Sequence, residues 1–277
     1  MTTIPVPAVP EGKYADIGND LRVHYHEAGE GPAVIFVHGS GPGATGWSNF
    51  KENYEVIAEA GFRCIVPDLV GFGYSTNDDD IAYTWEMLAE GITGLCDALN
   101  LDKVHLVGNS MGGALCMQIA LDRPELVESM VLMAPGGIEE GEVYMGMKGI
   151  RTMLKIMYKA GITEDSIRDI FKLQLYLPEN ITEEIIQERY QVFPLQAKNI
   201  LGKVKVPNLA SRLSEIDCPV LGLWGDDDNF CPVSGVETMQ KGFKDVRTLR
   251  INKCGHWVMV EYADLFNRSC IDFLKNG

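Results

Sequence analysis

The chain has 277 residues, of which 46% are hydrophobic and 23% charged, a composition typical of a globular protein. Its 39 acidic residues outnumber the 24 basic ones and give a formal net charge of −15 at pH 7, which disfavours binding to nucleic acid or to an anionic membrane surface. No apolar run approaches the roughly 20 residues that span a bilayer, and the N-terminal segment lacks the pattern of a signal peptide.

The seven cysteines have no paired spacing. We therefore expect buried free thiols, a reducing cytoplasmic location, and neither a disulfide framework nor a zinc site.

Short β-like runs alternate with helical patterns along the chain, which predicts an α/β fold with a mostly parallel sheet flanked by helices. The prolines of the first 16 residues suggest an extended arm. The predicted strands are 21–29, 33–39, 62–71, 103–108, 127–135, 218–225 and 246–252. The predicted helices lie within 47–60, 83–100, 111–124, 182–193, 233–243 and 260–275.

This alternation stops between Gly137 and about Ser211, where the patterns are helical. We predict a core formed by 1–137 and 212–277, with a helical cap inserted at 138–211. Several methionines cluster early in the cap. Flexible methionine side chains suit an adaptable pocket wall, although packing inside the cap explains each of them equally well.

Ser110 lies in "GNSMGG", between a predicted strand and a predicted helix. The G-x-S-x-G spacing in a strand–turn–helix context is typical of a nucleophile elbow, in which glycines allow the strand and the helix to approach closely. A loose glycine-rich turn is the alternative. We predict that Ser110 is the nucleophile.

A serine nucleophile needs a base, and His256 in "NKCGHW" follows the last predicted strand. The other histidines fit this role less well. His24 and His26 are expected at the surface of an early strand, His105 is expected to pack inside its strand, and His38 precedes a glycine-rich loop.

The base needs an orienting carboxylate, which in the order Ser…Asp…His falls in "LWGDDDNFCP". A D-x-x-x-P spacing to Pro232 selects Asp228. Asp226 and Asp227 are then solvated charges or helix caps. Three adjacent carboxylates also raise the alternative of a calcium site, but the sequence shows none of the further spaced ligands that such a site needs.

The glycine-rich segment 38–50 follows a strand and is the natural place for an oxyanion hole. We predict one backbone N–H donor near Ser40 or Gly41 and a second at Met111, directly after the nucleophile. The G-K-[ST] ending of a phosphate-binding loop is absent.

Arg189 shares the apolar face of a predicted cap helix with Ile185 and Phe193, since each lies four residues away. A guanidinium in such a place must extend to solvent or pair with an anion. The anion is either a structural carboxylate or a carboxylate of the substrate.

Together these residues resemble the α/β-hydrolase fold and, more narrowly, the meta-cleavage-product hydrolases, which split carbon–carbon bonds in ring-fission products of aromatic degradation. The resemblance covers nearly the whole chain and rests on "HGSGPGATGWSNF", "GNSMGG", "CGHW" and "EYADLFNRSCIDFL". It implies a catalytic triad of Ser110, Asp228 and His256. It also implies a polar subsite for the dienoate part of the substrate, formed by Gly39, Ser40, Asn49, Asn109, Arg189 and Trp257.

The resemblance further implies cleavage of a 2-hydroxy-6-oxohexa-2,4-dienoate without cofactor or metal. It also implies that the small-molecule substrate bears a carboxylate and that the enzyme is a homo-oligomer. A carboxylesterase with the same triad is the nearest alternative, and a non-catalytic small-molecule receptor is a more distant one. The chain departs from the family at three places. Asn229 replaces a basic residue, Cys231 replaces a valine, and the cap segment "KLQLYLPEN" lacks an expected phenylalanine.

Overall fold

The computed structural model describes residues 9–198 and 200–277, with the side chains of residues 159 and 160 excepted. Eight strands form one sheet in the order β1-β2-β4-β3-β5-β6-β7-β8, in which β1 and β2 are antiparallel to their neighbours and all other pairs are parallel. The strands are β1 (Lys13–Asp16), β2 (Arg22–Ala28), β3 (Ala33–Val37), β4 (Arg63–Pro67), β5 (Val104–Asn109), β6 (Val127–Met133), β7 (Val220–Gly225) and β8 (Val246–Ile251). This sheet confirms the predicted fold class.

The central strands are apolar throughout because helices cover both faces of the sheet. Every residue of β3, β5 and β7 is buried, as expected for parallel strands in such a layered fold. Alternate side chains of β3 enter opposite halves of the core. Val34 and Phe36 belong to one cluster, and Ile35 and Val37 to the other.

Of the described residues before β6, four segments are helical: α1 (Gly46–Phe50), α2 (Tyr54–Glu59), α3 (Trp85–Ala98) and α4 (Met111–Asp122). Between β6 and β7 the described residues form α5 (Gly141–Gly146), α6 (Lys148–Lys155), α7 (Glu164–Gln174), α8 (Glu183–Val192) and α9 (Ile200–Lys203), with short 3₁₀ and π turns between them. The chain closes with α10 (Gly235–Gly242), α11 (Val258–Glu261) and α12 (Ala263–Asn276). The helical segment between β6 and β7 is called the cap below.

One predicted helix needs correction. The helix predicted within 47–60 is interrupted between α1 and α2. At this break the buried amide of Asn53 donates hydrogen bonds to Met259 O at 2.9 Å and Asn267 Oδ1 at 3.0 Å. The described part of the N-terminal arm contains strand β1, which is consistent with the predicted extended arm, and the first eight residues lie outside the described part of the chain.

His24 and His26 are buried, not exposed as predicted. Pairing of β1 with the outer edge of β2 explains this, because it brings Tyr14 over His24 with ring centroids 5.1 Å apart. His24 Nδ1 also bonds to the buried Asp68 Oδ2 at 2.9 Å. His105 is buried as expected, and its Nδ1 bonds to a serine hydroxyl of β6.

The seven cysteines are all unpaired, and six of them are buried. In the described part of the chain, no helix is both long enough and apolar enough to cross a membrane.

Candidate active site

Ser110 occupies the one-residue turn between β5, which ends at Asn109, and α4, which begins at Met111. Its φ of +55° and ψ of −119° lie in a region that non-glycine residues rarely adopt. Such backbone strain costs about 1–3 kcal/mol and persists only where the surroundings enforce it. Here the Ser110 N–H donates to Met133 O at 3.0 Å, which ties the turn to β6. The strained turn predicted around Ser110 is therefore present.

Three glycines around Ser110 are required by close packing. A Cβ atom on Gly112 would overlap the backbone O of Val37 at the end of β3. A Cβ on Gly108 would lie 2.6 Å from Gly112 O, and one on Gly113 would lie 2.8 Å from Pro135 Cβ. These glycines let α4 start directly against the sheet, so its N-terminus points at the turn, where it favours negative charge.

His256 and Asp228 form a buried hydrogen-bonded pair, with His256 Nδ1 2.7 Å from Asp228 Oδ2. Asp228 Oδ1 accepts the backbone N–H groups of Phe230 at 2.7 Å and Cys231 at 3.0 Å. A carboxylate that accepts the Nδ1 proton leaves Nε2 as the basic nitrogen. Ser110 and His256 line the same cavity, and no hydrogen bond joins their side chains among the described contacts.

The two neighbouring aspartates do not contact His256. Asp226 accepts a hydrogen bond from Arg250 Nε at 2.8 Å, and both Asp226 and Asp227 are exposed. The geometry therefore favours Asp228 as the orienting acid, in agreement with the prediction from spacing.

The loop after β3 presents free backbone N–H groups to the cavity. Gly39, Ser40 and Gly41 line it, and Gly41 has a φ of +147°. Within the described residues no acceptor bonds the N–H of Ser40, Gly41 or Met111. These groups can therefore serve as the predicted oxyanion-hole donors.

His38 holds the start of this loop. Its Nδ1 donates to Gly39 O at 2.8 Å, and its Nε2 accepts the Leu69 N–H at 3.0 Å. Burial lowers the pKa of His38 to about 4, so the ring is neutral at physiological pH. It is a structural histidine that fixes the position of this loop.

Arg189 of α8 extends into the cavity, where its Nη2 donates to Asn49 Oδ1 at 2.6 Å. Its guanidinium carbon lies 4.9 Å from the centroid of the Trp257 ring and 5.9 Å from that of Phe171. Burial lowers the pKa of Arg189 to about 10, which leaves the group charged at neutral pH. Its Nε is buried without a partner among the described atoms.

Asn109 also offers an unused polar atom to the cavity. Its Nδ2 donates to Met133 O at 3.2 Å and to His256 O at 3.4 Å. Its Oδ1 is buried and has no partner among the described residues. Buried polar atoms without partners are uncommon, so Asn109 Oδ1 and Arg189 Nε are available to water or to a polar ligand in the cavity.

The cavity brings together most of the predicted site. The predicted residues that line it are Gly39, Ser40, Gly41, Asn49, Asn109, Ser110, Arg189, His256 and Trp257. Asp228 and Met111 lie behind this lining, Asp228 bonded to His256 and Met111 next to Ser110.

Apart from the clustered methionines, the sequence analysis missed the apolar part of the lining that comes from the cap and the Asp228 loop. Ile150, Met153, Ile170 and Phe230 line the cavity from the cap and the Asp228 loop, and the last three belong to one buried cluster. Phe230 stacks on the His256 ring with centroids 5.2 Å apart. This apolar cluster therefore adjoins His256, and Met153 is a clustered methionine that forms part of the pocket wall.

The structure shows the surroundings of the three departures from the family pattern. Asn229 joins the core to the cap, since its O accepts the Gly149 N–H at 2.8 Å and its Nδ2 donates to Leu173 O at 3.2 Å. Burial raises the pKa of the Cys231 thiol, which keeps it protonated. Phe171 immediately precedes "KLQLYLPEN" and lines the cavity, so an aromatic side chain is present one position before the segment.

Comparison with known proteins agrees with this geometry. The family described as the alpha/beta hydrolase fold matches residues 32–263. A 2-hydroxy-6-oxo-6-phenylhexa-2,4-dienoate hydrolase of Comamonas testosteroni is 40% identical over 93% of this chain and 92% of its own. A 2-hydroxy-6-oxononadienedioate/2-hydroxy-6-oxononatrienedioate hydrolase of Comamonas testosteroni is 37% identical over 94% and 93%.

Solved structures give the same result. A meta-cleavage product hydrolase from Pseudomonas fluorescens IP01 superposes with a TM-score of 0.86 at 25% identity, covering 95% of this chain and 97% of that one. The chain therefore belongs to the α/β-hydrolase fold family and, within it, to the meta-cleavage-product hydrolases.

Proposed function

We propose that this enzyme hydrolyses the C5–C6 bond of a 2-hydroxy-6-oxohexa-2,4-dienoate that carries one carboxylate and an apolar, uncharged group on C6. The observation that carries the proposal is that the buried Arg189 donates its side-chain hydrogen bond to a neutral residue, Asn49. Among the side chains that the structure describes, Arg189 is the one cation lining the cavity. A buried cation with only a neutral partner is costly unless a ligand supplies the counter-charge.

The polar end of the cavity suits the dienoate carboxylate. Arg189 has an unpartnered Nε beside the Nη2 that bonds Asn49, and a guanidinium binds a carboxylate through two parallel N–H groups. The flat faces of Trp257 and Phe171 next to it limit the access of water to this pair.

The reacting end suits attack on the C6 carbonyl. Its oxygen would accept the free N–H groups of Ser40 or Gly41 and of Met111, which stabilise the negative charge that develops on it. His256, oriented by Asp228, removes a proton from Ser110 or from a water molecule that attacks C6. Before the bond breaks, the substrate is ketonised: its 2-hydroxyl group loses a proton and C5 gains one. The C5–C6 bond then breaks, and its electrons are delocalised through C4 and C3 onto the C2 oxygen, which is protonated to give a 2-hydroxypenta-2,4-dienoate. The net reaction adds one water and yields a carboxylic acid from the C6 side.

The apolar end determines which C6 substituents fit. A second carboxylate placed against Ile150, Met153, Ile170 and Phe230 would be desolvated without a described cation to pair with. An aryl or alkyl group would instead bury apolar surface there. The curated relatives are named for both kinds of substrate, and the lining of this cavity supports the uncharged kind.

The test compares two substrates of the same enzyme, the 6-phenyl dienoate and the 2-hydroxy-6-oxononadienedioate. Because an unpaired buried carboxylate costs several kcal/mol, we expect kcat/KM to be at least roughly 30-fold higher for the phenyl compound. Equal values, or a preference for the dicarboxylate, would refute the proposed substrate class. Turnover of neither compound would refute carbon–carbon cleavage itself.

A further inference from the structure

Glu261 accepts three backbone hydrogen bonds from two different parts of the chain. It is the last residue of α11 and is partly buried. Its Oε1 accepts the Gly255 N–H at 2.7 Å. Its Oε2 accepts the N–H groups of Tyr176 at 2.8 Å and Leu177 at 2.9 Å.

These donors belong to the two segments that meet at the catalytic histidine. Gly255 directly precedes His256, whereas Tyr176 and Leu177 follow cap helix α7. The His256 N–H also donates to Gln174 O at 2.7 Å. A Cβ on Gly255 would overlap the same oxygen, so the histidine loop and the end of α7 are in direct backbone contact.

We propose that Glu261 is a positioning residue, which sets the placement of His256 against Ser110 by joining the histidine loop to the cap. The inference rests on the proposed function only in taking His256 as the base. A carboxylate is the side chain that this site needs, because both of its oxygens accept and together they satisfy three donors. With an amide in either orientation, an NH₂ group would face at least one backbone N–H at 2.7–2.9 Å.

The hydrogen bond that positions Arg189 does not involve Glu261, although its aromatic neighbours Phe171 and Trp257 belong to α7 and the histidine loop. Helix α8 is held against the core by separate contacts: Arg189 to Asn49, Lys51 to Glu184 and Glu188, and Gln196 Oε1 to the Gly43 N–H. Loss of the Glu261 bonds should therefore disturb proton transfer by His256 much more than it disturbs carboxylate binding.

The experiment measures kcat and substrate binding separately in Glu261→Gln. A misplacement of about 1 Å costs a catalytic group up to roughly 100-fold, so we expect kcat to fall about 10- to 100-fold for the 6-phenyl dienoate and for p-nitrophenyl acetate alike. The Kd of the dienoate, measured in the Ser110→Ala background, should change less than about twofold because Arg189 stays in place. A separate observable is the proton resonance of His256 Nδ1–H, which should shift or broaden.

The matched control is Glu27→Gln, which removes a carboxylate that binds Lys13 and Arg63 at the far side of the sheet. It should lower the melting temperature without lowering kcat. Wild-type kcat in folded Glu261→Gln, or a loss that appears entirely in Kd, would overturn the proposal. If Glu261→Gln does not fold, Glu261→Asp replaces it, since the shorter carboxylate keeps the charge but cannot reach all three donors.

Wild-type kcat in Glu261→Asp would also overturn the proposal. The two proposals fail in different ways. Absence of dienoate turnover in the wild type would refute carbon–carbon cleavage, and the ester assay would still report on Glu261.

Discussion

Arg189 Nη2 lies 2.6 Å from Asn49 Oδ1, and this hydrogen bond joins cap helix α8 to core helix α1 inside the cavity. Asn49 is a neutral acceptor, so it holds the guanidinium in place without neutralising its charge. The charge therefore remains available for a ligand carboxylate.

The neutrality of Asn49 gives the first prediction. In Asn49→Asp a carboxylate would occupy the position of the amide oxygen and would compete with the substrate for Arg189. We expect KM for the dienoate to rise roughly 10-fold or more, and to rise more than in Asn49→Ala, which only removes the acceptor. Steady-state kinetics of both variants test this. A smaller effect for aspartate than for alanine would contradict the role given to Arg189.

The second prediction concerns Ser110 and His256. Each single alanine variant should lower kcat by at least about 1,000-fold while the fold is retained, and the double variant should be little worse, since triad members act as a unit. Stopped-flow assays at saturating dienoate and circular dichroism provide the measurement. Near-normal turnover in Ser110→Ala would exclude Ser110 as the nucleophile, and would also exclude a route in which it only activates water.

The third prediction separates the three aspartates. Asp228→Asn should lower kcat by up to about 10,000-fold, because an amide favours the wrong histidine tautomer and does not stabilise the imidazolium. Asp226→Asn and Asp227→Asn serve as matched controls, because both residues are exposed and neither contacts His256. The assignment fails if either control loses as much activity as Asp228→Asn.

The fourth prediction is a loss of stability in mild acid. The hydrogen bonds of His38 require a neutral ring, and burial lowers its pKa to about 4, against about 6.5 in an unfolded chain. The folded chain thus binds fewer protons than the unfolded chain, so this stability is present above pH 6.5 and is lost as the pH falls towards 4. Linkage gives a loss of about 2 kcal/mol between pH 7 and pH 5 from this group.

Urea unfolding at pH 7 and pH 5 measures that loss. His38→Gln keeps a donor and an acceptor but does not titrate, so its free energy of unfolding should depend less on pH than that of the wild type. A residual slope is expected from His26, whose pKa burial also lowers to about 4. An unchanged slope in His38→Gln would show that His38 does not make the predicted contribution.

Periodicity and glycine spacing predict the sheet, its flanking helices and the elbow at Ser110, because these follow from burial patterns along single segments. The surface placement of His24 and His26 was wrong for a tertiary reason. An isolated strand pattern does not reveal that β1 and Tyr14 will cover β2.

The polar site is also largely predictable, since the side chains of Ser110, His256 and Arg189 are reactive or charged and occupy recognisable positions in the sequence. The contacts of Gln174 and Glu261 with the histidine loop were not predicted. They involve backbone N–H groups of other segments, which leave no pattern along the chain. Phe230 was missed because an aromatic residue after an acidic run gives no sign that it will stack on a histidine.

The most direct test of carbon–carbon cleavage guided by Arg189 compares kcat/KM for a 2-hydroxy-6-oxo-dienoate and for a short neutral p-nitrophenyl ester, in wild type and Arg189→Ala. A desolvated arginine–carboxylate contact is worth on the order of 2–5 kcal/mol, so the dienoate should lose roughly 30-fold or more. We predict that the wild type prefers the dienoate and that Arg189→Ala spares the ester. A wild-type preference for the ester, with Arg189→Ala affecting both substrates alike, would contradict this function and leave a carboxylesterase.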